Sequence, residues 1–174
     1  MVFNNHASGY VLTCHQVNLS AGEYLNSNLK YERDTTSCGI LVQAYHMENG
    51  VFTSNNFIEV IIGKGQNIRF GGVGAAHQNG VSEISINTVT YMYHTIMIHK
   101  DIRSHEGFIK TYIWPIFVDY VCWVYNRTPK ESTGFFPNEL CTRSKNTPHN
   151  FLLRNCPLFG APAYVFETKK RTIL

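Results

Sequence analysis

Strand-like and helix-like segments alternate through the middle of this 174-residue chain, and this alternation constrains the fold most. The runs "GILVQAY" (39–45) and "QNIRF" (66–70) are rich in β-forming residues and predict two strands, the first of them buried. Between them, a short helix is predicted to open at Asn55 or Asn56 and to close at the glycines of 63–65. A β-α-β order of this kind predicts an α/β fold.

Two earlier segments extend the pattern toward the start of the chain. "MVF" (1–3) and "GYVLTCHQVNL" (9–19) predict a hairpin that turns at Ser8 and Gly9. Ser20 followed three residues later by Glu23 is the capping-box spacing, which predicts a helix beginning there and ending near Cys38 and Gly39.

Two longer helices are predicted after the second strand. The first runs from about Gln78 to His99, and its residues at helical spacing form one stripe: Val81, Ile84, Thr88, Met92, Ile96 and His99. The second runs from about Glu106 to Tyr125 and is rich in aromatic residues, with Pro115 as a bend or a first turn.

Composition narrows the class of protein. With 44% hydrophobic and 16% charged residues, the chain can bury a sizeable core within one domain. It has no apolar run of about eighteen residues that would span a membrane, and its first residues do not have the pattern of a signal peptide. Five scattered cysteines without a C-x-x-C pair argue against a zinc or redox motif and predict reduced thiols in an intracellular protein, nuclear or cytoplasmic.

The net charge of +3 is unevenly distributed along the chain. From residue 127 to the end there are eight basic and three acidic residues, against seven and nine before it. A basic tail of this kind is compatible with a polyanionic partner, although charges spread over 48 residues are also typical of a solvated surface.

One acid has an unusual setting. Glu83 follows a glycine-rich stretch and lies in the first turn of a predicted helix, where an isolated acid usually just complements the helix dipole by about 0.3–1 kcal/mol. The neighbouring motifs suggest more. "AYHMENGVFTSNNF" (44–57) and "GVGAAHQNGVSEISINTV" (72–89) resemble the catalytic core of copia-type retrotransposon integrases, in which a strand ends in a His-x-Asp-Asn-Gly turn and a later His-His-Gln-Asn-Gly-x-x-Glu segment opens a helix.

The resemblance covers nearly all of the chain, continuing through "MIH", "WPIFVDYVCWVYNRTP", "FFPNEL" and "LFGAPAYVFE". It implies a ribonuclease H-like α/β fold, a mixed sheet flanked by helices, in which two Asp and one Glu hold two Mg²⁺ or Mn²⁺ ions. Hard carboxylate oxygens suit these ions, and paired metals stabilise the attacking and leaving oxygens of phosphoryl transfer. The family's Glu falls on Glu83 and its second Asp on Glu48, so these two are the implied catalytic and metal-binding residues.

This sequence departs from the family pattern at two acids. Glu48 has one methylene more than the expected Asp, and a solvated turn acid remains the alternative interpretation. The first Asp belongs to a central strand that would precede Met1, so we expect a partial core that lacks this strand and has lost catalysis.

The resemblance also implies DNA as the partner, with homo-oligomers possible and no membrane contact. Gln78, Asn79 and Asn87 are the candidate nucleic-acid contacts, with helix capping as the alternative for Asn79. Two arginine positions of the family fall on Ile84 and Asn87, which weakens the predicted DNA contact.

Residues 1–127 are predicted to form the partial core, and residues 128–174 its end and a basic C-terminal extension. The alternatives to an integrase core are a non-catalytic nucleic-acid-binding remnant and a fragment without function.

Overall fold

The computed structural model of the chain describes residues 1–47, 54–71, 80–103 and 114–143. These residues form an α/β fold, which confirms the predicted class. Its elements in chain order are β1 (Val2–Asn4), β2 (Val11–Thr13), α1 (Ala21–Ser37), β3 (Ala44–Met47), α2 (Asn55–Gly63), β4 (Asn67–Phe70), α3 (Gly80–Arg103), α4 (Trp114–Tyr125) and α5 (Pro137–Thr142).

The chain opens with the predicted hairpin. β1 and β2 pair antiparallel, with Phe3 opposite Leu12. The turn is closed by Asn5, whose Oδ1 accepts the N–H groups of Ala7 and Ser8 at 3.1 and 3.0 Å. Gly9 completes it at a φ of 67°, a conformation that costs glycine little because it has no Cβ.

β3 and β4 pair in parallel, with Tyr45 opposite Ile68 and His46 opposite Arg69. The two strands therefore end side by side, and α2 joins them. The predicted strand over 39–45 was partly wrong, because pairing starts only at Ala44 and the side chain of Leu41 is 76% exposed. β4 begins at Asn67, directly after the turn at Gly65, and its first N–H donates to the Gln43 carbonyl at 2.9 Å. Among the described residues no strand lies beside residues 39–42.

α1 has the predicted ends. Ser20 is its N-cap, and the Ser20 hydroxyl accepts the Glu23 N–H at 3.4 Å. At the other end Gly39 adopts a φ of 76°, which stops the helix. Both signals are local, so they could be identified from the sequence.

The hairpin lies between two clusters of buried side chains. β1 contributes Phe3 to the first cluster, where its ring stacks on Tyr31 of α1 at 4.4 Å between centroids. β2 contributes Val11 to the second cluster, which also contains Val89 of α3 and Val121 of α4. The described strands form two separate two-stranded sheets, and a single mixed ribonuclease H-like sheet stays a prediction.

Asn126, directly after α4, binds the outer edge of β2. Its side-chain Oδ1 accepts the Val11 N–H at 2.9 Å, and its Nδ2 donates to the Val11 carbonyl at 2.7 Å. Both bonds are buried. The amide therefore satisfies the backbone of β2 as a neighbouring strand would.

α3 packs with a face that matches the predicted stripe only in part, since Met92 and Ile96 of the stripe do pack against the second cluster. Ser85 and Val89 are buried, whereas Val81 and Ile84 of the predicted stripe are 48% and 67% exposed. The cause is a contact with β1, described below, that turns Ser85 inward. Within the described ranges, no helix combines the length and the apolar character that a membrane span needs.

Candidate functional site

Glu83 lies in the first turn of α3, as the sequence predicts. Its side chain is exposed, and its carboxylate has no hydrogen bond or ion pair with any described residue. No described residue therefore occupies this carboxylate. It also lies where the helix dipole favours negative charge.

The turn that carries Glu83 is fixed by Asn4 of β1. The Asn4 Nδ2 donates to the Val81 carbonyl at 3.5 Å and to the Ser85 hydroxyl, which itself donates to the Val81 carbonyl at 3.0 Å. The carbonyl oxygen of the Asn4 amide is buried and has no hydrogen-bond partner. One side chain thus ties the residues on both sides of Glu83 to the hairpin.

The sequence analysis did not identify Asn4 as a residue that positions the site. Asn5 is used by the hairpin turn, whereas Asn4 reaches residues 77 and 81 positions later. The pair of adjacent asparagines was the only signal, and nothing local distinguishes the two roles.

The end of β3, where the second candidate acid follows, belongs to the same region of the fold. Met47 is the last residue of β3, and its side chain is buried in the cluster that contains Phe3 of β1. Phe3 is next to Asn4, which holds the Glu83 turn. Glu48 itself lies outside the described residues, so its distance to Glu83 stays a prediction.

The candidate DNA contacts are only partly described. Gln78 and Asn79 lie outside the described residues, whereas Asn87 is exposed one turn after Glu83. Ile84 beside it is also exposed, and the sequence has no Lys or Arg between residues 80 and 98. This part of α3 therefore presents an acid and apolar groups without a cation.

A metal site is not assembled within the described part of the chain. Among those residues there is no group of three His, Cys, Asp or Glu side chains close enough to hold an ion. The uncommitted Glu83 carboxylate has the hard oxygen donors that Mg²⁺ and Mn²⁺ prefer, so it fits one ligand position. The remaining ligands stay a prediction.

A second polar cluster, which the sequence analysis did not identify, surrounds Glu32 of α1. Its carboxylate accepts hydrogen bonds from the Tyr45 hydroxyl at 3.0 Å, Lys64 Nζ at 2.6 Å and Gln66 Nε2 at 2.9 Å. Burial raises the pKa of Glu32, but these three donors outweigh burial and leave the pKa below its ordinary value. This acid is committed to joining α1, β3 and the start of β4.

A third cluster joins β2 to α4. The Asp119 carboxylate accepts hydrogen bonds from the Thr13 hydroxyl at 3.0 Å and His15 Nε2 at 2.9 Å. His15 in turn meets the ring of Trp114 edge-on at 5.5 Å. The cluster holds α4 against the hairpin.

Four cysteines lie in the described residues, and all are free thiols: Cys14, Cys38, Cys122 and Cys141. Burial raises the pKa of Cys122 to about 11 and that of Cys14 above its ordinary value. These thiols stay protonated near neutral pH and are poor nucleophiles and metal ligands.

Comparison with solved structures finds a similar fold. The chain is similar to a chain of the cryo-EM structure of the simian T-cell lymphotropic virus intasome in complex with the PP2A regulatory subunit B56 gamma, at a TM-score of 0.64 and 15% identity. The match covers 97% of this chain and 53% of that chain, so this chain spans about half its length. No family model and no curated protein matches.

Proposed function

We propose that this chain is the catalytic-core part of a copia-type retrotransposon integrase with a ribonuclease H-like fold, which binds a divalent metal and DNA beside Glu83. The observation that carries the proposal is the exposed Glu83 carboxylate, which has no partner among the described residues and is held on a fixed first turn of α3. The fold around it is similar, over 97% of the chain, to a chain of a retroviral intasome structure.

Glu83 and Glu48 would hold the metal, Mg²⁺ or Mn²⁺. When bound, paired ions of this kind stabilise the attacking and leaving oxygens of a phosphoryl transfer. Asn4 and Ser85 keep the backbone of the Glu83 turn in place through the Val81 carbonyl. The longer side chain of Glu48 alters the geometry on the other side, where ligands need to be held within about 0.5 Å.

In this proposal the chain binds metal and DNA but catalyses the joining of DNA ends weakly or not at all. At the second acid position that the resemblance implies, this sequence has Glu48 in place of an Asp, and the longer side chain displaces the carboxylate. Mg²⁺ dehydrates reluctantly and demands near-octahedral geometry, so a ligand set with a displaced carboxylate binds it weakly. The proposal is therefore an integrase core of low or no activity, with a non-catalytic nucleic-acid-binding remnant as the alternative.

Metal binding is tested by isothermal titration of the 174-residue chain with MnCl₂. We expect weak binding that Glu83→Gln abolishes, because the substitution removes a ligand without changing side-chain size. Glu131→Gln is the matched control, since Glu131 is also exposed and has no partner among the described residues. Equal binding by both variants would contradict the metal role of Glu83.

DNA binding is tested by fluorescence anisotropy with a labelled duplex at several salt concentrations. Gln78, Asn79 and Asn87 supply neutral contacts, so the wild-type affinity should be low. Asn87→Lys should strengthen binding and steepen the slope of log K against log[salt] by about 0.9, the effect of one phosphate contact. Asn56→Lys, which adds the same charge at an exposed site on α2, should change the slope less.

Equal slopes for the two lysine variants would remove Asn87 from the DNA-binding surface. Strand-transfer assays on the same preparations separate the remaining possibilities. Robust metal-dependent joining of DNA ends by the wild-type chain would contradict the loss of catalysis. A chain that binds neither metal nor DNA would support the fragment without function.

A further inference from the structure

The parallel pair β3–β4 has one face in the core and one polar, exposed face. Alternate residues of both strands are exposed, and the residues between them are buried or half-buried. The exposed ones are Ala44 and His46 on β3, and Asn67 and Arg69 on β4. The strand register sets Ala44 opposite Asn67 and His46 opposite Arg69, so the four side chains form one continuous surface. We call these four residues the polar sheet face.

The polar sheet face lies on the same side of the strands as α3. Tyr45 of β3 and Phe3 of β1 both enter the first buried cluster, so this cluster covers one side of both strands. Asn4, next to Phe3, points to the other side, where it bonds to Ser85 of α3. Because side chains alternate along a strand, the residues next to Tyr45 also turn away from the cluster. The first turn of α3, which carries Glu83, therefore lies on the same side as the polar sheet face.

His46 and Arg69 lie near the carboxyl ends of their strands. Each is the next-to-last residue of its strand, and Glu48, a proposed metal ligand, follows directly after β3 in the sequence. Parallel strands are almost always covered on both faces, and open α/β sheets bind their ligands outside the carboxyl ends of the strands. An exposed polar face at this end of a parallel pair is therefore in the position of a ligand-binding surface.

Arg69 is the charged group of the polar sheet face, and the described part of the fold does not use it. Neither its guanidinium nor the ring of His46 has a hydrogen bond or an ion pair with a described residue. Arg127, in contrast, lies over the ring of Trp123 at 4.3 Å and donates to the Trp123 carbonyl. A guanidinium has five N–H donors in a planar geometry that matches the oxygens of a phosphate. The chemistry of Arg69 therefore fits a phosphate-bearing ligand.

α3 lacks such a cation on its side of this region. The sequence has no Lys or Arg between residues 80 and 98, and Ile84 and Asn87 occupy the two arginine positions that the resemblance implies. A polyanion that lies beside the Glu83 carboxylate needs a nearby positive charge to offset repulsion. Arg69 on β4 supplies a charge that this part of the helix does not.

We propose that the polar sheet face binds the sugar–phosphate backbone of the DNA strand that lies beside Glu83, with Arg69 paired to a phosphate. The inference rests on the DNA binding proposed above and names the residue that supplies its charge. The Asn67 amide and the His46 ring N–H donate to neighbouring phosphate or sugar oxygens. Contacts of this kind position a strand without reading its bases, so binding by this face should depend on salt and hardly on base sequence.

Fluorescence anisotropy with a labelled DNA duplex tests the role of Arg69, with EDTA present so that bound metal does not contribute. Arg69→Gln should weaken binding by about tenfold at low salt, the effect of one hydrogen bond to a charged group. The slope of log K against log[salt] should become shallower by about 0.9. Arg33→Gln is the matched control, because Arg33 is exposed on α1 and also has no partner among the described residues.

Two further variants separate the charge of Arg69 from its shape. Arg69→Lys keeps the charge but loses the planar donors, so it should retain the salt slope and lose part of the affinity. Asn67→Lys adds a cation to the polar sheet face and should steepen the slope by about 0.9, whereas Asn56→Lys on α2 should change it less. All these positions are exposed, and circular dichroism confirms that each variant is folded.

The outcomes distinguish this proposal from the one on which it rests. A shallower slope for Arg69→Gln than for Arg33→Gln supports the phosphate contact. Wild-type binding with equal slopes for these two variants would overturn the role of Arg69 and leave DNA binding beside Glu83 standing. A wild type that binds no duplex even at low salt, with Asn67→Lys and Asn87→Lys equally inactive, would overturn both proposals.

Discussion

Two glutamates of this chain, both on helices, have opposite surroundings. Glu32 of α1 accepts three hydrogen bonds, one from β3 and two from the turn between α2 and β4, and its side chain is 17% exposed. Glu83 of α3 is exposed and accepts none from a described residue, although the turn beneath it is held firmly by Asn4. Within the described part of the chain, one carboxylate is fully hydrogen-bonded and the other has no partner.

This difference separates acids that hold the fold from acids that can bind a ligand. A carboxylate that already accepts hydrogen bonds from donors inside the protein has little capacity left for a cation. Removing it leaves those donors without an acceptor. A carboxylate on a fixed backbone with no internal donor loses little stability when removed but keeps its position for an outside partner. The comparison predicts that stability and ligand binding depend on different glutamates.

The largest expected effect comes from Glu32→Ala. It leaves Tyr45, Lys64 and Gln66 without their shared acceptor, which should lower the free energy of unfolding by about 1–3 kcal/mol. Thermal or urea unfolding measures the loss. Glu59→Ala, at an exposed position on α2, should stay within about 0.5 kcal/mol. Similar losses of unfolding free energy for Glu32→Ala and Glu59→Ala would show that Glu32 does not hold the fold.

Acid should reduce the stability difference between the wild type and Glu32→Ala. Burial raises the pKa of Glu32, but its hydrogen bonds lower this pKa by a larger amount, so the folded-state pKa lies below the unfolded one. The stability from Glu32 is therefore present above the ordinary glutamate pKa of about 4.3 and is lost as the pH falls through the folded-state pKa. Urea unfolding of wild type and Glu32→Ala should give free energies whose difference shrinks as the pH falls through the folded-state pKa. A constant gap down to pH 2 would show that the carboxylate charge does not contribute.

The smallest expected effect on stability is that of Glu83→Gln. The change removes only a favourable dipole interaction, worth about 0.3–1 kcal/mol, and no described hydrogen bond. Thermal unfolding should shift by a few degrees at most. A loss as large as that of Glu32→Ala would mean that Glu83 is a structural acid and not an open one.

The sequence predicted those features whose causes are local. Ser20 and Gly39 set the ends of α1 through contacts within a few residues, and the glycines after α2 set the start of β4. The position of Glu83 in a first helical turn was predicted for the same reason. Its metal and DNA roles rest on resemblance and stay predictions.

The features that escaped prediction depend on distant contacts. α3 has apolar residues on two sides, and spacing alone could not show that Asn4, about 80 positions earlier, turns Ser85 inward and Ile84 outward. The strand predicted before Ala44 was wrong because β4 begins only at Asn67, opposite Ala44. The Glu32 cluster joins residues 13 to 34 positions apart, with no motif to announce it.

The bond between Asn126 and the edge of β2 has a consequence for synthesis of the chain on the ribosome. The amide that completes β2 is made 115 residues after Val11. At translation rates of about 5–20 residues per second, the outer edge of the hairpin stays uncovered for roughly 6 to 23 seconds. During that interval the nascent hairpin offers bare backbone groups to any extended segment nearby, so chaperone demand should peak before α4 emerges.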